Sequence, residues 1–251
     1  GGARNAIAVG AAAATVGIVV GVVTLTGVGF RLGYVVVQTA TDLGTSLSEF
    51  GPLSYFSVTQ WALFISLILI AFSCIIMGAG IPTTATYIIL VAVAAPALAQ
   101  LGVEPIVAHF FVFYYGVLAD ITPPVALAAY AAAGISGSNP FETGNTAFRL
   151  GIAKALVPFV FVYSPSLLLV AQGFTWYAFF ITLFGAMLGI ASIGAAFSGF
   201  IFTKMTQGER WYVGIVGLLF VVPGLPTMTI AAMAMSPVLI MQWQKSKVIK
   251  T

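Results

Sequence analysis

Apolar residues run along this chain in blocks, and most blocks approach or exceed the roughly 20 residues that a helix needs to cross about 30 Å of hydrocarbon. Residues 6–28 form the first block, and the stretch "TLTGVGF", with Thr24, Thr26, Gly27 and Gly29, loosens or ends it. Residues 32–53 carry Asp42, Glu49 and several Ser and Thr residues, so they read as a short interfacial helix or connecting arm. Blocks at 55–77 and 84–101 follow, joined by "MGAGIPTTA", and no Asp, Glu, Lys or Arg occurs from Phe50 to Val103. A block at 105–118 is interrupted at "ADITPP" and resumes as "VALAAYAAAGI". The polar stretch "SGSNPFETGNTAFR" predicts a short amphipathic helix with Asn139 as its N-cap and Pro140 as its first residue. Residues 151–171 and 174–203 read as further spans. The last block, 211–243, breaks at "PGLP" and is either one kinked helix or two short ones. The pattern divides the chain into a first span with its arm (1–54), a paired segment and broken helix (55–101 and 104–135), an amphipathic linker with a span (136–171) and further membrane helices (172–251).

Composition places these blocks in a bilayer. Of 251 residues, 61% are hydrophobic and 6% charged, with a mean hydropathy of +1.11, which excludes the ordinary soluble globular class. The fold class is therefore an all-α polytopic membrane protein. One cysteine, Cys74, rules out a disulfide framework or a Cys-based metal site. Most basic residues flank apolar blocks, as orientation signals do, so the net charge of +3 implies no nucleic-acid partner. The first residue is not Met and no signal-peptide pattern stands at the start, so the chain is expected to be part of a longer protein. Counting crossings from Arg4 puts Arg4, Arg149, Lys154, Lys204 and Arg210 on one side and Arg31 on the other, so the former side is cytoplasmic. The tail "QKSKVIK" joins them only if "PGLP" turns the chain back.

Charge also bears on the opening between residues 77 and 85. A plain turn between two complete spans remains one reading of "MGAGIPTTA". A turn reaching the cytoplasm, however, would favour Lys or Arg, and this tip has neither. Irregular backbone at membrane depth is tolerated only where it is buried in protein or lines a wet cavity, so a re-entrant tip implies a site. Gly78 and Gly80 allow carbonyls to turn toward a small cation, Pro82 starts the next helix, and Thr83 and Thr84 add hydroxyl oxygens. Uncharged oxygen ligands suit Na⁺. The helix starting after Pro82 also points its positive dipole end inward, toward a carboxylate ligand.

"ADITPP" repeats the device. Pro123 and Pro124 remove two backbone donors, which frees carbonyls around Ala119 to Thr122. Asp120 is the sole acid between Glu104 and Glu142, and an intramembrane carboxylate is a functional candidate by default. Its competing reading is a cap for the following half-helix or a residue facing a wet cavity. Thr122 has the better claim on an ion. His109 reads as a packed, hydrogen-bonded residue rather than a proton relay, and Trp176, Tyr177, Trp211 and Tyr212 fit an interfacial belt. No Walker motif or nucleophile triad occurs, which leaves enzymatic hydrolysis and ATP-driven pumping unsupported.

Two discontinuous segments of this kind point to the midplane site of a secondary transporter. At "MGAGIPTTATYIILVAVAAPAL" and "FVFYYGVLADITPPVALAAYAAAGISGSNP", the sequence resembles the large membrane subunit of tripartite ATP-independent periplasmic (TRAP) transporters, and most closely the fused-permease branch. The resemblance implies one inverted-repeat half of an elevator-type transporter in a bacterial or archaeal inner membrane. It implies a re-entrant hairpin, a Pro-broken helix, Na⁺ as coupling ion without other cofactor, and organic acids delivered by a periplasmic solute-binding protein. It implies as partners the other, N-terminal half and a small membrane subunit. Carried over to this chain, Gly78, Gly80, Pro82, Thr83 and Thr84 of the tip and Thr122 and Pro123 of the break resemble one Na⁺ site, to which Asp120 is added as the intramembrane carboxylate, and Thr83 and Thr84 face the expected substrate cavity, with Val125 added to the substrate set. The family's commoner tip has Met at Ala79 and Leu at Ile81, and neither change removes an oxygen ligand. With no first repeat in the sequence, half of the substrate site is missing. The alternative is a fragment, or a structural or channel-like membrane subunit, without transport activity alone.

Overall fold

The computed structural model describes residues 10, 14–15, 17–18, 21–23, 25–78, 83–169, 172–222 and 224–250. About half of the expected first span at 6–28 falls outside these, as do Gly80 and Pro82. The chain divides into two compact units, Gly1–Gly137 and Ser138–Thr251. Among the described residues both are helical, without strands beyond one isolated bridge between Phe200 and Lys204. Among the described residues, five helical stretches are long and apolar enough to cross a membrane: Val58–Gly78, Thr83–Gln100, Pro140–Tyr163, Trp176–Ser198 and Leu225–Lys247.

In the first unit, α1 (Val28–Ser48) starts at Gly27, whose φ of 66° is left-handed, and runs through most of the segment expected to be a short interfacial helix or connecting arm as one 21-residue helix. Its polar residues do not break it because they are absorbed locally. The hydroxyls of Thr41, Thr45 and Ser46 donate to the carbonyls of Val37, Thr41 and Asp42, one turn back, and Gln38 donates to Asp42 at 3.1 Å. Gly29, Gly33, Ala40 and Gly44 are the buried positions of α1. A β-carbon on Gly29 would come within 2.5 Å of the Ala92 carbonyl, and one on Gly44 within 3.0 Å of Trp61 Cβ. Small residues thus let backbones approach where lipid supplies no hydrophobic drive between helices.

Residues Gly51–Tyr55 turn the chain into α2 (Val58–Gly78), antiparallel to α1, and α3 (Thr83–Gln100) returns alongside it. After a four-residue connection, α4 (Pro105–Leu118) starts with proline at its first position. A 3₁₀ turn at Ala119–Ile121, extended backbone at Thr122 and left-handed Ala126 (φ 35°) separate it from α5 (Leu127–Ser136).

In the second unit, α6 (Pro140–Gly151) begins as the sequence predicts, with the Asn139 side chain accepting from the Phe141 and Glu142 amides at 3.0 and 3.2 Å. The expected separate span at 151–171 is different. A 3₁₀ segment, Ile152–Leu156, carries α6 into α7 (Val157–Tyr163), and regular helix ends at Ser164. Pro158 cannot donate to the carbonyl one turn back and Pro165 cannot continue the helix, so the membrane-length stretch is Pro140–Tyr163. Helix α8 (Trp176–Ser198) packs antiparallel on α9 (Gln207–Val221) so closely that a β-carbon on Gly185 would lie 2.7 Å from the Phe220 carbonyl. The turn at "PGLP" reverses the chain into α10 (Leu225–Lys250). The last block is thus two antiparallel helices rather than one kinked one, around a core of Val213, Val216, Phe220, Ala231, Met235 and Val238.

Candidate functional site

The two interruptions that stand out in the sequence meet in the first unit. Thr83, the first residue of α3, donates its hydroxyl to Asp120 Oδ2 at 3.2 Å, across 37 residues of chain. On the other arm, Gly78 ends α2 against the same break. A β-carbon there would be 2.8 Å from Ala119 Cβ and 3.2 Å from both the Gly116 carbonyl and Thr86 Cγ2. Gly78 therefore serves close approach, beyond the carbonyl freedom expected of it.

Proline chemistry shapes the break itself. The carbonyl of Asp120 would accept from the amides three or four residues on, and both residues are proline, so neither helical donor exists. Neighbouring carbonyls that the prolines were expected to free are engaged instead. Leu118 accepts from the Thr122 hydroxyl at 2.8 Å, Ala119 from the Thr122 amide at 3.1 Å, and Thr122 from the Ala126 amide at 3.1 Å. Tyr130 donates to the Pro124 carbonyl at 2.6 Å, which ties α5 back to the break.

Thr83, Asp120, Thr122, Pro123 and Val125 are half-buried, Gly78 is buried, and Thr84 is exposed. The structure brings Gly78, Thr83 and Asp120 together, with Thr122 one 3₁₀ turn from Ala119. It records no contact that ties Thr84 or Val125 to the pair. The available atoms around the pair are hard oxygens: one carboxylate, one carbonyl without its helical donors, and threonine hydroxyls. Among the described residues no cluster of three His, Cys, Asp or Glu side chains exists. A single carboxylate with neutral oxygens suits a monovalent hard cation better than the multi-carboxylate sets of divalent sites.

One further contact supports this geometry and has a weak sequence signal. Tyr87, one turn after Thr83 on the same face of α3, hydrogen-bonds through its hydroxyl with His109 Nδ1 at 2.8 Å and meets the Phe113 ring edge-on at 5.7 Å. His109 is thus the packed, hydrogen-bonded residue expected, and its partner was not legible from the sequence.

The sequence model of the family described as "Tripartite ATP-independent periplasmic transporter, DctM component" matches residues 1–176. Neither curated proteins nor solved structures yield a match to the chain.

Proposed function

Since the chain belongs to the DctM component family of tripartite ATP-independent periplasmic transporters, with residues 1–176 of 251 matched, we propose that it couples Na⁺ to the import of organic acids through the Thr83–Asp120 site. Membership itself makes the chain a multi-pass membrane permease subunit that works with a periplasmic binding protein and a small membrane subunit. The cation, the carboxylate cargo and the elevator motion are the proposal.

The observation that carries it is the Thr83–Asp120 hydrogen bond, because it joins the tip of one discontinuous segment to the break of another. Depth supports the same reading. Helix α4 has 14 residues, so at about 1.5 Å per residue the break lies about 20 Å along it, within rather than beyond a hydrocarbon layer of about 30 Å. Helix α5 then adds ten residues, enough to complete the crossing. A hairpin tip that meets this break fits the re-entrant reading.

In the mechanism that follows, Asp120 supplies the negative charge and Thr83 and Thr122 supply neutral oxygens. Cation binding neutralises Asp120 and orders Thr83 against it. The start of α3, with its amide ends directed at the same space, then receives the substrate carboxylate beside Thr84 and Val125. The hairpin and the broken helix travel together because Tyr87–His109 and the Gly78 contact bind them into one body.

The test is uptake into proteoliposomes of the complete reading frame with its binding protein and small subunit. A Na⁺ gradient should drive accumulation, and Asp120→Asn should abolish Na⁺ dependence while the protein still inserts and melts as the parent does. Uptake indifferent to Na⁺ and driven by a pH gradient would refute the cation assignment.

A further inference from the structure

Charge in the last third of the chain is gathered at one end. From residue 172 onward the charged residues are Lys204, Glu209, Arg210, Lys245, Lys247 and Lys250. Because α8, α9 and α10 run up, down and up, these fall together at the α8–α9 connection, the start of α9 and the end of α10. The opposite end, at the start of α8 and the turn near 222–225, has no charged residue.

These cations are not equivalent. Arg210 is committed to the protein, donating from Nε and Nη2 to the carbonyls of Ala196 and Phe197 at 2.8 and 3.0 Å, which closes the C-terminal end of α8. Lys245 is committed to Glu209 at 2.6 Å, the one ion pair among the described residues. Glu209 also accepts from the Thr206 amide and from Gln242, so its charge is fully used. Of the remaining cations, Lys204 and Lys247 have described side chains, both exposed and neither with an acidic partner among the described residues, and Lys250 follows at the chain's end.

A buried hydrogen bond joins the segments that carry these two. Gln242, fully buried, accepts from the Thr203 amide and hydroxyl at 3.1 and 2.7 Å. Lys204 is the residue after Thr203, and Trp243 is the residue after Gln242. The Lys247 ammonium lies 3.7 Å from the centre of the half-exposed Trp243 ring. Two cations without an acidic partner and an exposed indole therefore lie within a few residues of one fixed point at the end of a membrane hairpin.

We propose that this end of the second unit binds the phosphate headgroup of an anionic phospholipid, with Lys204 and Lys247 on the phosphate and Trp243 at the boundary between headgroup and acyl chain. Ammonium groups near an anionic leaflet attract it, and an indole favours that depth. A soluble anion would use the charges but not the indole, and a lipid uses both. The inference rests on the membrane reading and is independent of the ion site in the first unit.

Trp243 is its own reporter. In nanodiscs, brominated lipids quench a tryptophan they touch, and with Trp61, Trp176 and Trp211 changed to Phe the signal is that of Trp243. Brominated phosphatidylglycerol should quench it with several-fold preference over brominated phosphatidylcholine, since each basic residue near the surface contributes about five-fold. The preference should fall to about one in K204Q/K247Q, persist in K204R/K247R, and weaken in high salt. Equal quenching by the two lipids, or a preference that survives K204Q/K247Q, overturns the proposal. The four-tryptophan chain gives a second measurement: native mass spectrometry from mixed micelles should show an anionic lipid retained by the parent and lost in K204Q/K247Q. Retention in that variant also overturns it.

Discussion

Gly78→Ala probes the tip where the packing is tightest. The added methyl carbon would sit 2.8 Å from Ala119 Cβ, against an ordinary carbon–carbon separation of about 3.5–4.0 Å. The Gly116 carbonyl and Thr86 Cγ2, each at 3.2 Å, close the other directions. A backbone oxygen and a β-carbon cannot rotate away, so the end of α2 must separate from α4. Overpacking of this kind costs about 1–3 kcal/mol. If that cost falls on the closed tip, the population with α2 parted from α4 rises about 5- to 150-fold. Cys74 reads this out, being the single cysteine, 1% exposed and one turn before Gly78 on the same helix face. Its labelling by a membrane-permeant maleimide passes through opening, so the rate should rise by about the same factor. Gly134→Ala is the control. A methyl there meets nothing within 4 Å, and alanine is favoured over glycine inside a helix by about 0.5–1 kcal/mol. Gly78→Ala labelled at the parent rate, in protein that still melts cooperatively, would refute the packing argument.

Three other outcomes follow from the geometry. Tyr87→Phe and His109→Phe each remove the same bond, about 1 kcal/mol, so the double variant should melt no lower than the worse single one, and additive losses in melting temperature would show that the pair does not act together. A tag placed after Thr251 should be protected or exposed together with a tag in the loop at Lys204, because Gln242 and Lys245 fix the end of α10 beside Thr203 and Glu209; opposite accessibility in sided proteolysis would refute the antiparallel α9–α10 pair. The hydrogen bond from Lys245, then that from the Thr206 amide, holds the Glu209 carboxyl below its ordinary value of 4.5. A carboxylate lowered in the folded state contributes stability that is fully present above pH 4.5 and is lost as pH falls through the lowered value. Glu209→Gln should therefore reduce the acid dependence of thermal melting there, and an unchanged profile would count against the network.

The elements legible from the sequence are those whose chemistry is local. Asn139 and Pro140 announce the start of α6 because a cap and its first turn lie within four residues. Pro105 and the prolines at 123 and 124 likewise bound α4 and its break. The length of the helix at Val28–Ser48 was hidden by an equally local effect of opposite sign, since serine and threonine suggest a short helix or an arm until their hydroxyls are seen to bond to carbonyls of the same helix. At "PGLP" the break was visible but not its direction, because a kink and a reversal use the same residues. Contacts 33 to 39 residues apart decide it, from Gln242 and Lys245 to Glu209 and Thr203. The candidate site divides in the same way. Each interruption could be found alone, but the choice of Thr83 over Thr84 as the partner of Asp120 depends on the helical phase with which α3 enters, and that phase is anchored one turn later by Tyr87 on His109. The same argument explains the two jobs of Gly78. A residue that only freed a carbonyl would tolerate a methyl group pointing elsewhere, whereas one that lets α2 end against Ala119 would not, and the tip must close for Asp120 and Thr83 to stay within reach of one another.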